Sequence, residues 1–231
     1  MHSVKRLALI LSAALVLALA GVASGKIVQL GDGEPFLPSS KCPNDPCLAA
    51  YQVTGYQDSA DNKKNRFLIR RSGKVVAFTV KLGKLSANQV QTFDQQFGAP
   101  ASVRLTILRR GKKRSRRNDH RVLAQSETFE VNDYFGESPT FVLDKPLNVP
   151  LGSLVALTVP TWAPVLAGDQ GKPTVWRSSR VKDRCGEGRR LAPRSAQQRV
   201  GQLVTWGCNY SGARLLYTAT YVPANRTSKP E

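Results

Sequence analysis

The run RLLYTATYV, Arg214 to Val222, places Leu215, Tyr217, Ala219 and Tyr221 on one side of an extended chain. The same two-residue period appears in KVVAFTVKL, where Val76, Phe78, Val80 and Leu82 share a face. In ASVRLTIL it turns Val103, Leu105 and Ile107 inward and Arg104 and Thr106 outward. RVLAQSETFEV, PTFVL, SLVALTV and QLVTW continue it. Such alternation, rich in Val, Thr, Leu and aromatics, marks half-buried strands. Breakers lie between the runs: RSGK, FGAP, FGESP, VPLGS and AGDQGKP. The best helical pattern, SANQVQTFDQQF, is mostly polar and predicts no more than a helical turn. Many short strands without β–α alternation predict an all-β chain, an antiparallel β-sandwich of jelly-roll type with long loops.

The N-terminus reads as an address. Lys5 and Arg6 precede the apolar run LALILSAALVLALAGVA, and Ala23 and Gly25 are small residues suited to cleavage before Lys26. This is the layout of a secretory signal peptide over 1–25. An uncleaved anchor is the rival, since the run is at the lower edge of spanning length. The small-residue ending favours cleavage, and an extracytoplasmic location is expected. Beyond it, residues 26–65 are expected to form an irregular cover, 66–223 the sandwich, and 224–231 a frayed tail. Cys42, Cys47, Cys185 and Cys208 all follow the leader. An even number in an exported chain predicts two disulfides. Three pairings are open; Cys42–Cys47 would close the turn CPNDPC, and Cys185–Cys208 would clip the long loop beginning near Trp176. The spacing is wrong for paired zinc ligands, so neither metal nor cofactor is expected.

Positive charge is concentrated. The chain has 34 Lys and Arg against 16 Asp and Glu. Residues 109–121, RRGKKRSRRNDHR, carry eight basic residues and one acid, for +7, while residues 177–199 carry eight and two, for +6. The candidate polyanion contacts are Arg109, Arg110, Lys112, Lys113, Arg114, Arg116 and Arg117 in the first cluster, and Arg177, Arg180, Lys182 and Arg184 in the second. Clustered cations gain affinity for a polyanion by releasing counterions, and arginine adds bidentate geometry. The first cluster sits between two strand patterns that would pair as a hairpin. A solvated tip that only discourages edge-to-edge aggregation is therefore the competing explanation. The expected partners are an anionic polysaccharide, a wall polymer or a membrane surface; specific nucleic-acid recognition is not expected of an exported chain.

Catalytic patterns are weak. Nucleophilic catalysis of the Ser-His-Asp kind needs a histidine. Beyond the leader only His120 remains, inside the cationic cluster, and no GxSxG occurs. A glycosidase needs two converging carboxylates, but Glu127 and Glu130 in ETFEVNDYFGE would face opposite sides of a strand, and Asp133 and Glu137 follow near its end. A non-enzymatic binding or structural protein is the expectation. The alternative is a carbohydrate-binding module that stacks sugars on loop aromatics, with Trp162 and Trp176 as the candidates.

Three stretches, LDKPLNVPLGSLVALTVPTWAPVLA, VWRSSRVKDRC and WGCNYSGARLLYTATYVPA, resemble a group of secreted bacterial β-sandwich proteins over roughly residues 66–224. The resemblance implies export and a β fold and attaches no activity.

Overall fold

A computed structural model describes residues 26–31, 49–186 and 195–225. The leader (1–25), the Cys42–Cys47 turn, Arg189, Arg190 and Arg194, and the tail from 226 lie outside the described residues. The chain is mostly antiparallel β-sheet. A four-stranded sheet runs β1 (Val28–Leu30), β15 (Tyr217–Pro223), β4 (Gly73–Val80), β8 (Thr140–Val149). A larger sheet runs β12 (Leu203–Thr205), β6 (Asp119–Gln125), β5 (Ser102–Arg110), β9 (Ser153–Ala163), β2 (Ala50–Ala60), β11 (Val175–Ser178), β13 (Cys208–Ser211). Two short strands extend it, β3 (Lys63–Lys64) on β2 and β7 (Phe129–Glu130) on β5. A small ribbon pairs β10 (Leu166–Ala167) with β14 (Arg214–Leu215).

The main core joins the two sheets. Val75, Phe78 and Val80 of β4 and Tyr217, Ala219 and Tyr221 of β15 belong to the same buried cluster as Val103, Leu105 and Ile107 of β5 and Val155, Leu157 and Val159 of β9. The larger sheet also has a second, separate core on its other face, made by Tyr56, Leu108, Val122, Leu154, Ala156 and Trp206. Adjacent residues therefore enter different cores: Ile107 faces the sandwich and Leu108 the second core. Burial on both faces explains why β9 reads SLVALTV, nearly continuous in apolar residues.

Several expectations change here. The described parts of residues 26–65 are not irregular: Val28–Leu30 pairs with β15, and Ala50–Ala60 lies between β9 and β11 in the larger sheet. Val76 is not on the core face. The register of β4 against β8 shifts between Val75 and Ala77, which puts Val75 inside, fully buried, and leaves Val76 half-buried. Thr106 is fully buried rather than outward, because it faces the second core side of the sheet. The segment 160–202 holds the end of β9 and the short strands β10 and β11.

SANQVQTFDQQF forms more than a turn. Ser86 caps α1 (Ala87–Phe97), accepting from the Gln89 backbone while the Gln89 side chain accepts from the Ser86 backbone. This reciprocal box satisfies two of the N–H groups a helix start leaves unpaired. Phe93 and Phe97 bury the inner side, and Phe97 stacks on Tyr51 of β2 with ring centroids 4.2 Å apart. The Trp162 indole N–H of β9 donates to Asp94 Oδ1 at 2.9 Å, and Gln52 Nε2 of β2 donates to the Phe97 carbonyl at 3.2 Å, so polar bonds also tie helix to sheet. Asp94→Ala leaves that fully buried indole N–H without its partner and is expected to cost about 1–3 kcal/mol in urea unfolding. A loss well under that range would mean the indole finds another acceptor.

Candidate polyanion-binding surface

The larger sheet curls strongly. β6 and β2 lie three strands apart, ~14 Å across a flat sheet at ~4.8 Å per strand. Yet the Tyr56 hydroxyl of β2 lies 3.3 Å from His120 Nε2 of β6. The segment Leu203–Ser211 spans the gap. Its first part pairs with β6 at one edge of the sheet, and its last part pairs with β11 near the other. Trp206 and Gly207 join the two parts. Trp206 is fully buried and stacks on His120 with centroids 4.2 Å apart.

The concave side is held by a polar chain. Gln198, fully buried, accepts from the Trp206 indole at 2.7 Å, donates through Nε2 to the His120 carbonyl, and donates its backbone N–H to Thr54 Oγ1. Thr54 and Thr106 both bond Thr158, at 2.8 and 2.6 Å. His120 Nδ1 lies 2.8 Å from the Asn118 carbonyl, which can only accept. The hydrogen therefore sits on Nδ1, and Nε2 is left to accept from Tyr56. Burial, with Arg177 and Arg110 close by, lowers the His120 pKa to about 4, against its bond to Asn118 and the charge of Asp119. Burial also raises the Tyr56 hydroxyl above its ordinary value, opposed chiefly by Arg177. His120 is thus a neutral structural hinge beneath the cationic tip.

The curl brings the two basic clusters together. The tip after β5 turns through a short 3-10 segment at Arg114–Arg116, and its Asn118 accepts through Oδ1 from Arg177 Nη2 at 2.7 Å. The Trp206 backbone N–H donates to the Asn118 carbonyl, and Gly207 N–H donates to the Arg180 carbonyl. Gly207 permits the close approach, since a Cβ there would sit 2.1 Å from the Lys182 nitrogen. Cys185–Cys208 then locks the second loop to β13. Sequence reasoning anticipated this disulfide.

The predicted contacts divide into three groups. Arg109, Lys112, Lys113, Arg114, Arg116, Arg117 and Lys182 are exposed. Arg110 and Arg177 are half-buried at the base, and the buried Nε of Arg177 has no hydrogen-bond partner among the described residues. Arg180 does not belong to a binding surface: it is buried, donates to the Tyr51 carbonyl at 2.9 Å, and lies over the Tyr51 ring. Arg184 is half-buried and already engaged within the protein.

The sugar platforms are not where they were expected. Trp162 is fully buried against Phe93 and Phe135, and Trp176 is buried and stacked on Tyr210. Stacking a sugar needs an exposed ring face, and neither offers one. The two-cluster account of charge also missed a third run. Lys63, Lys64, Arg66, Arg70, Arg71 and Lys74 put six basic residues into 63–74 with no acid. The signal was present in NKKNRFLIRRSGK, but interruption by the apolar FLI hid it.

The chain matches no family model, no curated protein and no solved structure.

The buried imidazole generates a pH dependence of its own. His120 has a folded pKa of about 4, below the ordinary 6.5, so its contribution to stability is complete above pH 6.5 and is lost as pH falls through 4. Over that window the loss is about 3 kcal/mol at 1.36 kcal/mol per unit. His120→Gln should flatten this part of the urea-unfolding profile relative to wild type. Parallel profiles would show that His120 is not held neutral.

Proposed function

We propose that the protein is a non-enzymatic, extracytoplasmic binding protein that contacts an anionic polymer or surface through the hairpin tip 109–118 and the adjoining loop at Arg177–Lys182. The observation that carries this reading is the bond between Arg177 and Asn118, which sets the start of the second cluster beside the tip of the first. Seven of the predicted cations are exposed on these two loops, while Arg110 and Arg177 are half-buried. Multiple cations facing one polyanion act together, because each neutralised charge releases a counterion. The disulfide and the Gly207 contact fix the second loop, and a fixed guanidinium loses less freedom on binding than a mobile one. An extracytoplasmic place for this activity fits the disulfide, and no helix among the described residues is long and apolar enough to cross a membrane.

Elution from a sulfate-bearing resin tests the reading. Changing Arg114, Arg116, Arg117 and Lys182 to Ser should lower the eluting salt concentration. It should also reduce the slope of log affinity against log salt by about 0.7–0.9 for each ion pair with the resin that the substitutions remove, taking the nucleic-acid values as a guide. A variant that folds normally and elutes with the wild type would dispose of the proposal.

A further inference from the structure

A cleft of about 710 Å³ opens where β1, the β2–β3 hairpin, residues 68–71 and the end of β15 meet. Six cations line it: Lys26, Lys63, Lys64, Arg66, Arg70 and Arg71; among its described lining residues there is no acid. Arg66 is committed to the fold. Its side chain is buried and donates to Asp61 and to the Ala60 and Gly31 carbonyls. Asp61 also takes Arg214, so the nearest carboxylate already serves two guanidinium groups. The other five cations are exposed and pair with no acidic group among the described residues. A cleft lined by one sign of charge focuses its field on an incoming counter-charge.

The cations are carried on fixed backbone. Asp61 and Asn62 turn the β2–β3 hairpin with φ of 52° and 58°, the left-handed pair that a two-residue turn requires. Lys63 and Lys64 are thereby paired opposite Ala60 and Ser59. Ile69 N–H donates to the Ser153 carbonyl, and Gly152 N–H to the Ile69 carbonyl, which anchors the backbone entering Arg70 and Arg71. Gly31, with φ of 82°, lies so near the Phe67 ring that a Cβ would meet its Cζ at 2.2 Å. That packing seats the end of β1 against the hairpin. Val28, Leu30, Leu68, Tyr221 and Pro223 add apolar surface between the charges.

We propose that this cleft is a binding site for a compact organic polyanion: one molecule carrying two or more phosphate, sulfate or carboxylate groups on a carbon scaffold. Its volume suits a single small ligand, which a cleft of roughly 300–1,000 Å³ accommodates. The separated cations call for several acid groups, and the apolar patches call for carbon between them. None of the residues lining it belongs to the hairpin tip. A phosphorylated small molecule and the end of an acidic oligosaccharide share this chemistry, and the probes separate them.

Calorimetric titration of the full protein with inositol hexakisphosphate and with trigalacturonate, at about 0.15 M NaCl to screen diffuse attraction, provides the test. At least one probe should bind with one-to-one stoichiometry, and the tighter of the two identifies the acid group preferred. Lys63→Ser with Lys64→Ser, and separately Arg70→Ser with Arg71→Ser, should each weaken it by about tenfold or more, the scale of one lost charge-assisted bond. Lys63→Arg with Lys64→Arg should retain binding, which separates charge from folding. Arg114→Ser, Arg116→Ser and Arg117→Ser together should leave it within about twofold, as expected for an independent site. The proposal is overturned if neither probe binds, if the cleft variants bind as wild type, or if the tip variant weakens binding as much as they do.

Discussion

Tyr56 and His120 meet because the larger sheet bends back on itself, and Leu203–Ser211 holds the bend by pairing near both edges. A curled sheet must fill its concave side. Here Trp206, Leu108, Leu154 and their neighbours supply apolar contact, while Gln198, His120 and the three threonines close a chain of hydrogen bonds. Buried polar groups are costly when unpaired and specific when satisfied. The threonine bonds tie the neighbouring pairs β2–β9 and β5–β9, whereas Tyr56–His120 joins β2 to β6, which are not neighbours in the sheet. Gln198 bridges the His120 carbonyl, Thr54 and Trp206. The seating of Asn118 beside Arg177 is a consequence of that closure rather than of any local turn preference.

The excess of positive charge is handled in two physically different ways. Arg66, Arg180 and Arg214 are inside, and each has a carbonyl or the Asp61 carboxylate to receive its donors. Here arginine acts as a rigid multi-donor strut. Many of the exposed cations instead lie at the hairpin tip, on Lys182 and around the cleft near β3. Like charges brought together on an ordered framework repel one another, and solvent relieves only part of that cost. Both exposed groupings are carried by backbone that disulfide or hydrogen bonds hold in place. The two groupings differ in setting: one is carried on a hairpin tip, the other lines a cleft.

Much of the β framework was readable from alternation. The inward set Leu215, Tyr217, Ala219 and Tyr221 lies in the core, as do Val103, Leu105 and Ile107. Where reading failed, a specific interaction intervened. A bulge moved the phase at Val75, which a strict period of two cannot foresee. AYQVTGYQDSA hid a central strand because Gln57 and Thr54 are polar yet buried, each bonded to a distant partner: Gln57 accepts from Leu215, and Thr54 bonds Thr158. Trp162 looked like a loop aromatic, and the packing of α1 and of Phe135 against it is what covers it.

The chain by itself determined strand-forming segments and the density of charge along its length. These are properties of neighbours in sequence, and hydrophobic period and composition record them directly. Which charges remain available was decided in three dimensions. Arg180 and Lys182 stand two residues apart, yet one is buried over Tyr51 and the other exposed, and Lys26 shares a cleft with Arg71. Such pairings arise when the sheet curls and closes. That closure depends on hydrogen bonds between residues remote in the chain, which no local pattern encodes.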